Sequence, residues 1–171
     1  MKTFFLTSAY LAPVQYYSKL ANFPVVLEVN DNYLKQTYRN RCNILTTNGI
    51  KTISIPIEKS GKLKTSMKEV KISYTENWQK LHWKTITSAY NSSPFFEYYL
   101  DDLAPFYYKK WTYLLDFNNE IQDKMIDLLN LDVDITHTAF YQTEFQENEL
   151  DYRELIHPKK KVLDQYFKSQ A

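Results

Sequence analysis

Asn30-Asp31-Asn32-Tyr33-Leu34-Lys35-Gln36-Thr37-Tyr38-Arg39-Asn40-Arg41 gathers acid, amide, phenol and guanidinium groups into one short connection. It follows an apolar run that reads as a buried strand. Two of the chain's three arginines stand in it, while lysine supplies nearly all the other positive charge. In a chain that defaults to Lys, an Arg-x-Arg pair points to planar, bidentate recognition of carboxylate or phosphate, which a point charge does poorly. On a strand, Arg39 and Arg41 would point to one side and Asn40 and Cys42 to the other. Adjacent guanidinium groups repel unless an anion lies between them, so the pair predicts an anion site, such as one for the diphosphate of a nucleotide-activated donor, with Lys35 adding to it. The alternative is that each arginine pairs with a structural carboxylate such as Glu28 or Asp31.

Three residues are candidates for proton transfer. Glu28 is the odd residue in its apolar strand, where a carboxylate is costly unless paired and where desolvation would lift its pKa toward acid or base duty. An ion pair with Arg39 or Arg41 explains it as well. Asp31 stands nearer the strand's carboxyl end, where α/β ligands collect, and is the better-placed acid. His82 lies between Leu81 and Trp83 on an apolar helix face, a position more often filled by a core histidine than by a catalyst. The three histidines lack H-x-H or H-x-x-x-H spacing, so no metal is indicated. Glu97, Asp101 and Asp102 form an acidic patch, either a site for a hydroxyl-rich ligand or cation or a solvated face. Ser8 and Ser88 precede Ala-Tyr, not the glycine of a nucleophile elbow, and Cys42 reads as a buried strand residue.

Composition removes several function classes. A length of 171 residues fits one domain with a proper core, and 44% hydrophobic with 24% charged residues is ordinary. Two glycines leave no P-loop and no G-x-G-x-x-G turn. A net charge of +1 argues against a nucleic-acid partner, and the basic run Lys159-Lys160-Lys161 reads as solvated. One cysteine excludes an internal disulfide, a C-x-x-C pair and a cysteine-rich zinc site. No apolar segment reaches the roughly twenty residues that span a bilayer, and Met1–Leu6 is too short for a signal peptide, so a cytoplasmic location is expected. Fifteen Tyr and ten Phe reflect either biased composition or a cleft lined with aromatic faces and phenolic hydroxyls, as sugar sites often are.

These groups need a frame. Thr3–Leu6 reads as a strand, and Pro13 opens a helix with Val14, Tyr17, Leu20 and Ala21 inward. Pro24–Val29 reads as a strand covered on both sides, as in a parallel sheet. Arg39–Leu45 and Thr52–Ile57 form a hairpin about Asn48-Gly49. Glu58–Lys68 reads as a mobile surface loop and Val70–Tyr74 as a short strand. Trp78 opens a helix with Leu81, His82, Thr85, Ile86 and Ala89 on one face; Ser93-Pro94 starts another, which Pro105 breaks. A helix carrying Ile121, Met125, Leu128 and Leu129 follows, then a last strand with Val133, Ile135 and His137. From Gln142 the chain is polar with little to bury. The fold class is thus α/β: a small, mostly parallel sheet with a β-hairpin extension and a helical carboxyl-terminal half. Residues 1–141 form one domain and 142–171 a polar tail.

The run Tyr33, Lys35, Tyr38, Arg39, Asn40, Arg41 and Ile44 resembles the Tyr-x-Lys … aromatic-Arg-Asn-Arg-x-x-Ile run of the WbqC-like family. Gly49 and Ile53-Ser54-Ile55-Pro56 match the Gly and Pro-ended strand that follow. The family's opening Gln-Pro-x-Tyr-x-Pro-x-x-Gly-Tyr is met at Tyr10 and Tyr16 and departs at Thr7, Ser8, Ala12 and Gln15. Trp78–Asp102 and Ile156-His157-Pro158-Lys159-Lys160 also look like one branch of the family. The usual Phe-x-Pro-x-Leu-Ser-x-x-Asp-Leu-Leu block does not appear before Ala171, which reads as a shortened member. The resemblance implies surface-polysaccharide (O-antigen) biosynthesis. Together with the residue chemistry it suggests a transferase on an activated sugar, taking a nucleotide sugar or acyl donor, or else a non-catalytic binding or assembly subunit. Arg39, Arg41 and Lys35 would hold the anion; Asn40, Tyr10, Tyr16, Tyr33 and Tyr38 would contact hydroxyls or rings; Asp31 or Glu28 would act as base. No cofactor and no oligomeric state are indicated.

Overall fold

Two apolar runs and the helix between them lay down the centre of the sheet. The computed structural model describes residues 1–160, so Lys161 and the rest of the expected tail lie outside the described residues. β1 (Thr3–Thr7) pairs in parallel with β2 (Val25–Glu28) across the crossover helix α1 (Val14–Asn22). Phe4, Leu6, Val25 and Leu27 pack on Tyr16 and Leu20 of α1. Thr7 and Glu28 are paired in register, as are Phe5 and Val26, and these four side chains share the opposite face. The sheet is α/β in character and wholly parallel, ordered β5–β2–β1–β6, with β5 at Ile135–His137 and β6 at Glu149–Asp151. The chain steps outward from β1 to β5, then returns to the far side of β1. The winding therefore reverses between β1 and β6, the place where open α/β sheets bind ligands beyond their strand ends.

β3 (Arg41–Thr46) and β4 (Gly49–Ser54) form the antiparallel hairpin, closed by Gly49 at φ +99°, a value L side chains rarely adopt. The hairpin starts two residues later than the alternation suggests, because residues 37–40 turn. Asn40 then fixes the hairpin base, its carbonyl accepting from Ile55 N–H at 2.7 Å and its amide donating to the Ile55 carbonyl at 2.8 Å. Helices α2 (Trp78–Tyr90), α3 (Phe96–Leu103), α4 (Pro105–Tyr108) and α5 (Leu114–Leu128) make the helical part. Asn77 caps α2 by accepting from Lys80 N–H. Cys42, Ile44, Ile53 and Ile55 meet Trp78, Ile86, Phe106, Tyr107, Phe117 and Ile121 in a second core. α5 joins the two cores, giving Phe117 and Ile121 to one and Ile126 to the other.

Several expectations change, among them Ala21, which is exposed, and Val70–Tyr74, which forms isolated bridges at Lys71 and Ile72 and no strand. Val14 is exposed and Tyr16 is buried, because the Tyr16 hydroxyl donates to the Thr7 carbonyl (3.0 Å) and Gln122 Oε1 (2.9 Å) and so sets the rotation of α1. Leu81 and Leu129 lie at the surface. Most importantly, the segment after Gln142 buries a good deal. It supplies β6, a ring contact between Phe145 and Phe5 at 5.0 Å, and the buried Arg153.

Candidate functional site

At the reversal point β1 ends in Thr7, and the loop after β2 brings in Asp31. The Thr7 hydroxyl donates to Asp31 Oδ2 at 2.9 Å, and Arg39 donates to the same oxygen through Nε (3.0 Å) and Nη2 (2.5 Å). Arg39 Nη2 also reaches Glu154 Oε1 at 2.9 Å. Arg39 is 1% exposed and Asp31 4%, so this pairing takes place inside the protein. Every donor converges on Oδ2; Asp31 Oδ1 is buried without a hydrogen-bond partner. Burial pushes the Asp31 carboxyl above its usual range, against the pull of Arg39 and the Thr7 hydroxyl.

The same pattern recurs around it. Asn118 of α5 donates to Ser8 Oγ (2.9 Å) and to the Arg39 carbonyl (2.8 Å), which leaves its Oδ1 without a partner. Asn40 Oδ1 and Arg41 Nε are likewise buried and unpaired. Buried polar atoms are rarely left so. Four of the six such side-chain atoms among the described residues belong to Asp31, Asn40, Arg41 and Asn118, all on or beside the Arg39 network. Three acceptors and one donor are therefore left unpaired in this part of the protein.

Glu28 is engaged otherwise. It is fully buried, and Oε1 accepts from Asn30 N–H (2.8 Å) and the Thr138 hydroxyl (2.7 Å), while Oε2 takes Arg153 Nη1 at 3.0 Å. Arg153 is further held by Asp151 and lies over the Tyr141 and Phe145 rings. Glu28 thus pairs with neither Arg39 nor Arg41. Arg153 was missed in the sequence, although the rule that singled out Arg39 and Arg41 in a lysine-rich chain applies equally to it.

Because Arg39 precedes β3, strand alternation does not align it with Arg41, and its charge faces Asp31 and Glu154. Arg41 opens β3 half-buried, without an ion pair among the described residues. The Tyr33 hydroxyl lies in the field of both guanidinium groups, which oppose the rise that burial causes in its pKa. Tyr38 packs against the sheet core and hydrogen-bonds Asn43. Of the remaining candidates, Tyr16 braces α1 as above. Tyr10 is fully buried, its hydroxyl bonded to His82 Nδ1 (3.1 Å) and the Tyr107 hydroxyl (2.9 Å). Asp102 of the acidic patch pairs with Lys124.

His82 is 2% exposed, with its ring bonded to Tyr10 and to the Ser54 backbone. Burial lowers its pKa to about 4, against about 6.5 in an unfolded chain. Between these values the unfolded state binds more protons, so stability rises with pH across the window and is lost as pH falls through it. At pH near 4.5 the wild type is expected to lose about 2 to 3 kcal/mol relative to pH 7 from this residue. Urea unfolding of wild type and His82→Asn at both pH values isolates it. Equal pH dependence in the two proteins contradicts the assignment.

The segment Glu58–Lys68, expected as a mobile surface loop, is tied to the motif. Tyr33 N–H donates to the Thr65 carbonyl (2.8 Å), Met67 N–H to the Asp31 carbonyl (2.9 Å) and Glu58 N–H to the Lys71 carbonyl (2.9 Å). Between the two segments runs a groove of about 770 Å³ whose lining includes Tyr33, Lys35, Lys59, Lys62, Lys68, Lys71 and Tyr113. Lys35 and Tyr33 thus belong to a groove whose other lysines gave no local motif.

A family model described as the WbqC-like protein family matches residues 8–168. The chain belongs to the WbqC-like protein family. It is also similar to the uncharacterized protein Rv1507c of Mycobacterium tuberculosis, with 27% identity over 111 residues. That match covers 64% of this chain and 48% of the relative, so the chain spans about half the length of the curated protein it resembles. No solved structure matches the chain at a significant level.

Within this WbqC-like protein the motif residues divide by role. Arg39 and Asn40 face inward, Arg39 to Asp31 and Asn40 to the hairpin base at Ile55, whereas Tyr33 and Lys35 face the groove. One short connection therefore touches both a buried carboxylate and a basic surface. Among the described residues no helix is long and apolar enough to cross a membrane.

Proposed function

We propose that this WbqC-like protein acts in the cytoplasm on an activated, nucleotide-linked sugar of bacterial surface-polysaccharide biosynthesis, modifying it or transferring a group to it. The observation that carries this reading is the Asp31 carboxylate: one oxygen is fixed by three donors, the other is bare, and the whole sits at the reversal point of the sheet. Such a group is oriented as a general base. Burial favours its protonated form, which brings its proton affinity closer to working pH. Asp31 Oδ1 takes the proton of an acceptor hydroxyl or amine as that atom bonds to the transferred group. The bond to the leaving group breaks, and its electron pair departs with the remainder of the donor. Asn40 Oδ1 and Asn118 Oδ1 accept from neighbouring sugar hydroxyls.

The test is a panel of nucleotide sugars, alone and with acyl donors, followed by mass spectrometry of the products. Asp31→Asn keeps the shape of the side chain and is expected to lower turnover about a hundredfold or more while binding persists. Asn-variant turnover equal to wild type rejects the reading. A non-catalytic binding or assembly subunit is the second reading, favoured by the Arg39 charge already facing two carboxylates. Tight sugar binding without any Asp31-dependent product supports that alternative.

A further inference from the structure

We infer that the lysine-lined groove beside the Asp31 network is a binding site for a diphosphate, specifically that of a nucleoside diphosphate. The inference rests on the proposed action on a nucleotide-linked sugar and assigns its anionic half to residues outside the arginine pair.

Charge comes first. Five lysines (Lys35, Lys59, Lys62, Lys68 and Lys71) and two glutamates line the groove. That is a local excess of three positive charges on a chain whose total is +1, so the rest of the protein is net negative and positive potential is concentrated here. Lys62 pairs with Glu69 at 2.6 Å, and Lys68 reaches only the neutral Asn30 amide oxygen at 2.7 Å. Lys35, Lys59, Lys68 and Lys71 have no ion-pair partner among the described residues. Four such charges around one hollow repel each other, and a ligand with two or more negative charges removes that cost. Arg39, by contrast, faces Asp31 and Glu154, which leaves an incoming diphosphate no net attraction there.

Size and frame agree. About 770 Å³ falls within the range of small-molecule and cofactor sites, some 300–1,000 Å³. Tyr33 and Tyr113 place phenol rings in the lining, which suits a planar base or ribose beside the phosphates. The lysine stems are exposed, but the backbone carrying them is fastened. Pairing links Asn32 with Ser66, Ile57 with Ile72 and Lys71 with Tyr113, and Met67 anchors the loop as a fully buried side chain. Position decides the assignment: Met67 N–H bonds the Asp31 carbonyl, so groove and carboxylate share one stretch of backbone. A diphosphate in the groove would lie next to a base suited to the attached group.

Calorimetric titration of the full chain with uridine diphosphate, inorganic pyrophosphate and uridine tests this. Uridine diphosphate and pyrophosphate are expected to bind, more weakly as salt rises, and uridine not to bind. Lys59→Glu/Lys71→Glu, changing two exposed side chains, is expected to weaken uridine diphosphate by about tenfold or more. Lys80→Glu/Lys84→Glu on α2 should stay within about twofold of wild type. The inference is overturned if no diphosphate binds, if the groove variant binds as wild type does with an unchanged circular dichroism spectrum, or if an oligonucleotide binds more tightly than uridine diphosphate. Failure here with Asp31-dependent turnover intact removes only the groove. Diphosphate binding without such turnover removes only the catalytic reading.

Discussion

Arg153→Ala is expected to cost about 3–5 kcal/mol of folding stability, the loss typical when one partner of a buried ion pair is removed. The Glu28 carboxylate is completely buried, and among the described residues Arg153 is its only cationic partner, at 3.0 Å. Without the guanidinium, Asn30 N–H and the Thr138 hydroxyl still hold Oε1, but the charge is uncompensated. Glu28→Gln/Arg153→Met removes both charges and keeps comparable bulk, so it should recover most of the loss. The sequence weighed Glu28 as a catalytic acid or base against a structural ion pair with Arg39 or Arg41; the partner is Arg153 instead, and urea unfolding of the three proteins tests the structural role. Loss of activity in a Glu28→Gln variant of wild-type stability would favour the catalytic role. A deficit under about 1 kcal/mol in Arg153→Ala contradicts the structural one.

How much of this was legible depended on whether the cause lay near in sequence. Pro13 and the two apolar runs around it disclose β1–α1–β2, because a strand, a proline-started helix and a second strand buried on both faces leave few other packings. The cost of Glu28 inside an apolar strand was also legible. Its partner was not, since Arg153 is 125 positions away and the crossing of residues 138–148 over the sheet leaves no local pattern. β6 was hidden for a related reason: Glu-Leu-Asp has one apolar side chain, and its pairing comes from the exposed backbone edge of β1. Adjacent tyrosines concealed the rotation of α1, because Tyr16 and Tyr17 differ only in which hydroxyl finds Thr7 and Gln122.

The candidate site was legible in which residues it gathers more than in their arrangement. Resemblance and residue type both singled out the Asn30–Arg41 stretch, and Asp31 and Arg39 do meet there. The error lay in extending β3 back through Arg39: a turn at residues 37–40 sends that side chain inward, and sequence alternation applies only within a strand. The groove lysines span positions 35 to 71 and converge through three backbone pairings that no spacing rule anticipates.

Arg39→Ala carries the second large effect, a loss of about 3–5 kcal/mol at neutral pH. Arg39 is the largest fully buried side chain described, and among the described residues it alone pairs its charge with the Asp31 carboxylate. Removing it leaves Thr7 as the sole side-chain donor to Asp31 among the described residues. The folded-state pKa of Asp31, already raised by burial, should then rise further, because the opposing pull of Arg39 is gone. The sign follows directly: a carboxylate whose folded pKa exceeds its unfolded value binds more protons in the folded state, so stability falls as pH rises through that interval. The deficit of Arg39→Ala relative to wild type should therefore be smaller near pH 4 than at pH 7, measurable by urea unfolding at both. Arg39→Lys retains the charge but cannot offer Nε and Nη2 together to Oδ2, so it should recover only part of the loss. Arg39→Ala/Asp31→Asn removes the stranded charge and should be more stable than Arg39→Ala alone, yet it still lacks the proposed base. A protein that regains its fold without regaining turnover separates the catalytic role proposed for Asp31 from what it costs the fold.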